Sequence, residues 1–110
     1  MIKDFLVYVL SDSVGETAEQ VARAAAEQYK NTDYEIKKYP YVEDTTKIDD
    51  IMKEVQPNKS ILVYTIVNKE LSDYLRAACK DMGILYIDIM NPCLNKFTKF
   101  LGKEPERESG

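Results

Sequence analysis

Hydrophobic side chains fall along this chain in two alternating periodicities. Phe5-Leu6-Val7-Tyr8-Val9-Leu10, Ser60-Ile61-Leu62-Val63-Tyr64-Thr65-Ile66-Val67 and Ile84-Leu85-Tyr86-Ile87-Asp88 are continuous runs rich in β-branched and aromatic residues. Apolar runs this long, without polar alternation, belong to strands covered on both faces of a parallel sheet. Tyr34 to Tyr41 is more polar, alternates weakly and carries Pro40 near its end, which predicts an edge strand. Between the strands the period becomes helical. Ala18, Val21, Ala22, Ala25, Ala26 and Tyr29 repeat at helical spacing, with Glu19, Gln20, Arg23, Glu27 and Lys30 on the other face. Ile48, Ile51, Met52 and Val55 mark a second helix, stopped by Pro57 and Asn58. Leu71, Tyr74, Leu75, Ala78, Cys79 and Met82 mark a third, ended by Gly83. A fourth starts near Pro92 and carries Leu94, Phe97 and Leu101.

Strands that alternate with helices, joined by right-handed crossovers, predict an α/β fold. The expected form is an open, doubly wound parallel sheet of about four strands with helices on both faces, Rossmann- or flavodoxin-like. Its strand order is 2-1-3-4, with the Tyr34 strand at one edge. The switch point then lies between the first and third strands, where such sheets bind ligands beyond the strands' carboxyl ends. The loops Ser11–Gly15 and Thr65–Asn68 are expected to face each other there. The Ile84 strand forms the other edge and is apolar on both faces, so it calls for a cover, either another strand or another chain, as in a homo-oligomer. Residues 1–101 read as a single α/β domain. Residues 102–110 are charged or turn-forming, with no apolar side chain beyond proline, and read as a flexible tail or linker.

Composition narrows the chemistry. The 110 residues contain no histidine, which excludes Ser-His-Asp and Cys-His nucleophile pairs and His-bearing zinc sites from this chain. Lys plus Arg number 15 against 19 Asp plus Glu, a net charge of -4, so the basic footprint that nucleic acid requires is missing. Two cysteines, Cys79 and Cys93, are too few for a disulfide framework and have no partner ligands at metal spacing. Cys79 lies on an apolar helix stripe and is expected in the core; Cys93 sits beside Pro92 near a helix start. The longest apolar run near the start, Phe5 to Leu10, is shorter than a signal-peptide core and far short of a membrane span, and a cytoplasmic location without membrane partners is the expectation.

The candidate chemistry sits after the first strand, in Ser11-Asp12-Ser13-Val14-Gly15-Glu16-Thr17. Ser13 and Glu16 have the spacing of a capping box, in which the serine hydroxyl takes the N3 amide and the glutamate reaches back. That leaves Ser11, Asp12, Gly15 and Thr17 without a structural task. Hydroxyls and free amides at a helix start suit an anion, so Ser11, Ser13, Gly15 and Thr17, with Thr65 and Asn68 opposite, are candidate phosphate- or substrate-binding residues. No Gly-Lys-Ser or Gly-Lys-Thr is present, which rules out a Walker loop; flavodoxin-type loops are the better comparison. Asp12 opposes a bare phosphate. Two unit charges about 4 Å apart repel by roughly 4 kcal/mol at an effective dielectric near 20, while a helix dipole returns only about 0.3–1 kcal/mol. Asp12 therefore either points away, binds a metal ion such as magnesium, or accepts from a hydroxyl. A receiver domain lacks its aspartate after the third strand, and Cys93 has Lys99 where a tyrosine-phosphatase loop needs arginine.

Leu10-Ser11-Asp12-Ser13-Val14-Gly15-Glu16-Thr17-Ala18-Glu19 resembles the amino-terminal signature of the pyruvate, phosphate dikinase regulatory proteins, also called phosphoenolpyruvate synthase regulatory proteins. Val63-Tyr64-Thr65-Ile66-Val67 with Glu70-Leu71, and Asp88-Ile89-Met90-Asn91-Pro92, resemble later landmarks of that family in the same order. The resemblance implies a bifunctional regulator. One activity is an ADP-dependent Ser/Thr kinase acting on a threonine of the dikinase; the other is a phosphate-dependent phosphorylase that reverses it and releases pyrophosphate. It also implies a Gly-rich nucleotide loop in a carboxyl-terminal half, which this chain lacks. On that basis the chain is the amino-terminal domain of a longer regulator, its partners are the dikinase or synthase and its own carboxyl-terminal half, and the fragment alone is not expected to hold ADP tightly or transfer phosphate. Asp12 is then the candidate catalytic residue, positioning a hydroxyl or magnesium. Two other readings of the residues are a non-catalytic docking domain and a flavodoxin-like phosphate or nucleotide binder.

Overall fold

A computed structural model describes residues 3–109. Strand β1 (Phe5–Ser11) leads to helix α1 (Glu16–Ala26), β2 (Tyr34–Tyr39) to α2 (Thr45–Glu54), β3 (Ser60–Thr65) to α3 (Lys69–Met82), and β4 (Leu85–Asp88) to α4 (Met90–Leu101). A short 3-10 turn, Pro57–Lys59, feeds β3. The four strands form one parallel sheet in the order β2-β1-β3-β4, so the doubly wound architecture expected from the sequence is the one observed.

Successive side chains of a strand point to opposite faces, and β1 uses both. Leu6, Tyr8 and Leu10 join Leu62 and Tyr64 of β3 in a core completed by α2 and α3. Val7, Val9 and Val63 point the other way, against Ala18 and Ala22 of α1. The small alanines let α1 lie close to the sheet. Of the six-residue apolar stripe read from the sequence, however, only Ala18, Ala22 and Ala26 are buried, while Val21 and Tyr29 stay exposed. One helix covers this face where two cover the other, so the flank of the stripe overlooks uncovered sheet. β4 shows the consequence: Leu85 is 74% exposed and Ile87 43%. Its other two residues, Tyr86 and Asp88, are half-buried.

The edge strand β2 is tied down by its aromatics. Tyr39 stacks on Tyr8 at 6.3 Å and donates a hydrogen bond to Glu54 Oε2 at 2.6 Å. Burial, followed by the neighbouring Glu54, pushes the Tyr39 phenol up to about 12. Several boundaries differ from the sequence reading. β3 ends at Thr65 rather than Val67, because the amide of Val67 is taken by another loop. α4 begins at Met90, with Pro92 in its first turn, where a missing N–H costs no helical bond. No helix among the described residues is long and apolar enough to cross a membrane.

The expected capping box is not formed. α1 starts at Glu16 with Gly15 as its N-cap at φ 87°, and no side chain caps it. Ser13 lies two residues too early, since Ser11 Oγ takes the Ser13 amide at 3.0 Å and turns the chain before the helix begins. Glu16 is then the first helical residue and has no reciprocal partner in Ser13. The left-handed turn is open to glycine and costly for other residues.

Two outcomes follow from this packing. A Cβ on Gly15 would meet Lys38 Cδ at 3.3 Å on a backbone already in the left-handed region; Gly15→Ala should lower stability by about 1–2 kcal/mol, measured by urea unfolding. Burial pushes the Cys79 thiol up to about 11, whereas Cys93 is exposed. A thiol reagent at pH 8 should label Cys93 at once and Cys79 only on unfolding, and equal labelling of both in the native protein would contradict the packing of α3.

Candidate functional site

Sheet register builds the site. β1 and β3 pair so that Ser11 stands opposite Thr65, the last residue of each strand, and Thr65 Oγ1 donates to Ser11 Oγ at 3.1 Å. Both side chains are buried, Ser11 almost completely. The turn that follows is braced from two sides. Toward β2, Val42 N donates to Ser11 O at 2.8 Å and Tyr41 N to Ser13 O at 2.9 Å. Toward β3, Asp12 N donates to Thr65 O at 3.3 Å, and Val67 N donates to Asp12 Oδ2 at 2.8 Å. Tyr41 adopts a left-handed backbone, φ 56°, to present its amide.

The result is a crevice of about 300 Å³ at the switch point. Ser11, Asp12, Ser13, Gly15, Thr17 and Thr65 all line it, so six of the seven residues singled out from the sequence are brought together. Asn68 is not among them. It is the N-cap of α3, where Oδ1 accepts from Leu71 N at 3.0 Å, and its side chain has a structural task. Asp12 does not point away: it faces the crevice with one carboxylate oxygen bound to the opposite loop.

Charge decides what this crevice accepts. Among the described residues, Asp12, Glu16 and Glu108 line it, and no lysine or arginine does. Lys38 packs its stem near Gly15 but sends its ammonium to Glu19 at 3.0 Å. Lys38, and then Arg23, hold the Glu19 carboxyl below the usual carboxylate range. A nucleotide's phosphates meet three carboxylates here and no cation, so the residues present do not make an ADP site by themselves. Among the described residues no group of three or more metal-ligating side chains stands ready for a metal ion. Asp12 alone suits magnesium as a single carboxylate ligand of an ion that keeps most of its waters.

One part of the site escapes the sequence reading. The segment read as a charged flexible tail or linker returns, over residues 102–109, to the switch point: Arg107 Nη1 donates to Val67 O and to Asn91 Oδ1, each at 3.0 Å, and Glu108 and Ser109 reach the crevice wall. Asn91 is itself fixed, donating to Asp88 Oδ2 at 2.7 Å and to the buried Ser72 Oγ at 2.8 Å. No local pattern marks Arg107; its partners lie 16 and 40 residues away in the chain.

The family model described as kinase/pyrophosphorylase matches residues 7–110. A pyruvate, phosphate dikinase regulatory protein by name from Alkaliphilus metalliredigens is 41% identical over 108 residues, covering 98% of this chain and 39% of the relative. Proteins of the same name from Oceanobacillus iheyensis and Clostridioides difficile are 40% and 37% identical, covering 96% and 100% of this chain and 39% and 40% of themselves. The chain thus spans about two-fifths of the length of these relatives. With nearly all of its folded part matched, including the loop after β1, the chain belongs to the kinase/pyrophosphorylase family.

Proposed function

We propose that this chain supplies the acceptor side of the phosphoryl-transfer site in a dikinase regulator. The observation that carries the reading is the charge of the switch-point crevice, where hydroxyls and three carboxylates line the wall and no cation does. A crevice of that kind repels a bare phosphate and receives a neutral hydroxyl donor. The relatives' name and the family's kinase description support pyruvate, phosphate dikinase as the target class; in this reading the acceptor is a threonine hydroxyl of that enzyme or of phosphoenolpyruvate synthase, as the resemblance of the signature implies.

In this reading Asp12 accepts the proton of the attacking threonine hydroxyl, or orients it, through its second carboxylate oxygen. Its first oxygen is held by Val67 N, which fixes the direction of the group. Phosphoryl transfer depends mainly on positioning and charge neutralisation, so a rigidly aimed carboxylate is the contribution this half has to make. Ser11, Ser13 and Thr17 line the pocket that receives the peptide. ADP, with the lysine-bearing cradle it needs, binds on the part of the regulator that this chain does not span. In the reverse reaction the phosphoryl group and the attacking phosphate lie on the part of the regulator that this chain does not span, and Asp12 returns a proton to the threonine oxygen as its bond to phosphorus breaks and pyrophosphate forms.

A second reading, a docking domain for the dikinase, draws on the apolar side chains of Leu85 on β4 and Phe97 and Phe100 on α4, which are 74%, 66% and 89% exposed. Docking and catalysis separate experimentally. In a chimera carrying this whole chain in place of the matching segment of the Alkaliphilus metalliredigens relative, Asp12→Asn should lower the turnover of both kinase and phosphorylase by roughly 10²–10⁴-fold while dikinase capture is retained. Undiminished turnover of both would remove Asp12 from the chemistry. The chain alone should show no saturable ADP or FMN binding by calorimetry, and micromolar affinity for either would restore the nucleotide-binder reading.

A further inference from the structure

Val67 is gripped at both ends. Its N–H donates to Asp12 Oδ2 at 2.8 Å, and its C=O accepts from Arg107 Nη1 at 3.0 Å. The same nitrogen of Arg107 also donates to Asn91 Oδ1 at 3.0 Å. Asn91 is held in turn: its amide nitrogen donates to Asp88 Oδ2 and Ser72 Oγ, and its backbone N–H to Asp88 Oδ1 at 3.0 Å. A chain of contacts therefore runs from the first turn of α4, through Arg107 and one residue of the β3–α3 loop, to the carboxylate in the crevice. Arg107 reaches this place on a left-handed backbone, φ 59°, which a non-glycine residue adopts only when its surroundings hold it there.

We propose that Arg107 is a positioning residue for Asp12, acting through the Val67 backbone. The assignment rests on the reading of Asp12 as the group that meets the acceptor hydroxyl, and it adds a residue from a segment that looks like a linker in the sequence. Val67 lies beyond the end of β3, so no ladder hydrogen bond keeps its N–H aimed at Asp12. Arg107 supplies that restraint from the opposite side of the residue. The planar guanidinium suits the task because one rigid group meets two fixed acceptors, Val67 O and Asn91 Oδ1, at once. Lysine has donors enough for both oxygens but carries them on a flexible stem with no fixed plane, so it holds them less firmly.

The same contact has a second effect on the crevice. Residues 108 and 109 follow Arg107 directly and line the crevice together with the Ser11–Thr17 loop. Release of Arg107 therefore loosens Asp12 and withdraws Glu108 together. Arg107 thus bears on both the aim of the Asp12 carboxylate and the wall of its pocket.

Amide hydrogen exchange of this chain, followed by NMR, tests the proposal without recourse to activity. Val67 N–H reports the Asp12 side of the turn, and Val42 N–H, bound to Ser11 O at 2.8 Å, reports the other side. Arg107→Ala should raise exchange at Val67 by roughly tenfold or more and leave Val42 unchanged. Arg107→Lys should fall between wild type and alanine, and Asn91→Ala should reproduce the alanine pattern from the other end of the contact chain. Asp12→Ala should raise Val67 exchange as well, since it removes the acceptor itself. Equal loosening of Val67 and Val42 would make Arg107 a general structural residue and overturn the proposal, as would no change at either. In the chimera, Arg107→Ala should lower kcat and leave KM for ADP unchanged. If Asp12→Asn there has no effect while the exchange pattern holds, the reading of Asp12 fails and the positioning of its carboxylate by Arg107 stands.

Discussion

Everything at the carboxyl end of this sheet depends on one constraint, the parallel register that sets Ser11 opposite Thr65. Two short polar side chains at the ends of adjacent central strands bond to each other, and each hands its chain to a loop at the same height. Because the strands are parallel, both loops leave in the same direction and must share the space above the sheet. A slip by one residue would exchange the two faces of β1, turning Leu6, Tyr8 and Leu10 away from the core they build with α2 and α3. The register that buries these residues is thus the register that brings Asp12 within reach of Val67. Core and site are not separate achievements of the sequence.

The brace on the turn is built almost wholly from backbone groups. Tyr41 N, Val42 N, Thr65 O and Val67 N hold the Ser11–Ser13 segment from both sides, with Ser11 Oγ closing it internally. Backbone donors and acceptors at strand ends must find partners when buried, and here neighbouring loops provide them to one another. The Ser13 hydroxyl meets Ser11 Oγ at 3.5 Å, while the side chain of Thr17 and the second oxygen of Asp12 are left uncommitted to the fold. A turn rigid in its main chain with free polar side chains is the arrangement a positioning site requires.

The general architecture is legible in the sequence because long, two-sided apolar runs and a helical period are hard to satisfy in any other way. β1 and β3 show this most clearly, and the weaker β2 stands at the edge that Pro40 and its lysines suggest. The candidate loop is legible for a similar reason, since the chain order alone places the ends of β1 and β3 together. The misreadings have a common cause. Ser13 and Glu16 have the spacing of a cap, but Ser11 competes for the Ser13 amide and delays the helix until Gly15. Asn68 looks like a ligand by position and is taken by Leu71 N. Arg107 looks like one charge in a solvated tail and is held by carbonyls distant in sequence. In each case a hydrogen bond decided the matter, and local spacing does not reveal which of several available partners a polar group takes.

The fate of the two cations nearest the loop explains the character of the site better than the hydroxyls do. Hydroxyls and a helix start serve an anion as readily as an alcohol, so they do not discriminate. Lys38 lies against Gly15 and would be the natural counterion for a phosphate there, yet its ammonium is neutralised by Glu19, which Arg23 also holds. Arg107 arrives from the other side and spends one guanidinium nitrogen on two neutral oxygens, Val67 O and Asn91 Oδ1. Carboxylates remain inside the crevice while neighbouring positive charge is drawn to its outside. At an effective dielectric near 20, each uncompensated carboxylate about 4 Å from a phosphate costs roughly 4 kcal/mol, several times what the helix dipole of α1 returns. A neutral hydroxyl incurs no such repulsion and gains an acceptor in Asp12. The division of labour proposed for the regulator, acceptor on this chain and nucleotide elsewhere, follows from where these two cations are held.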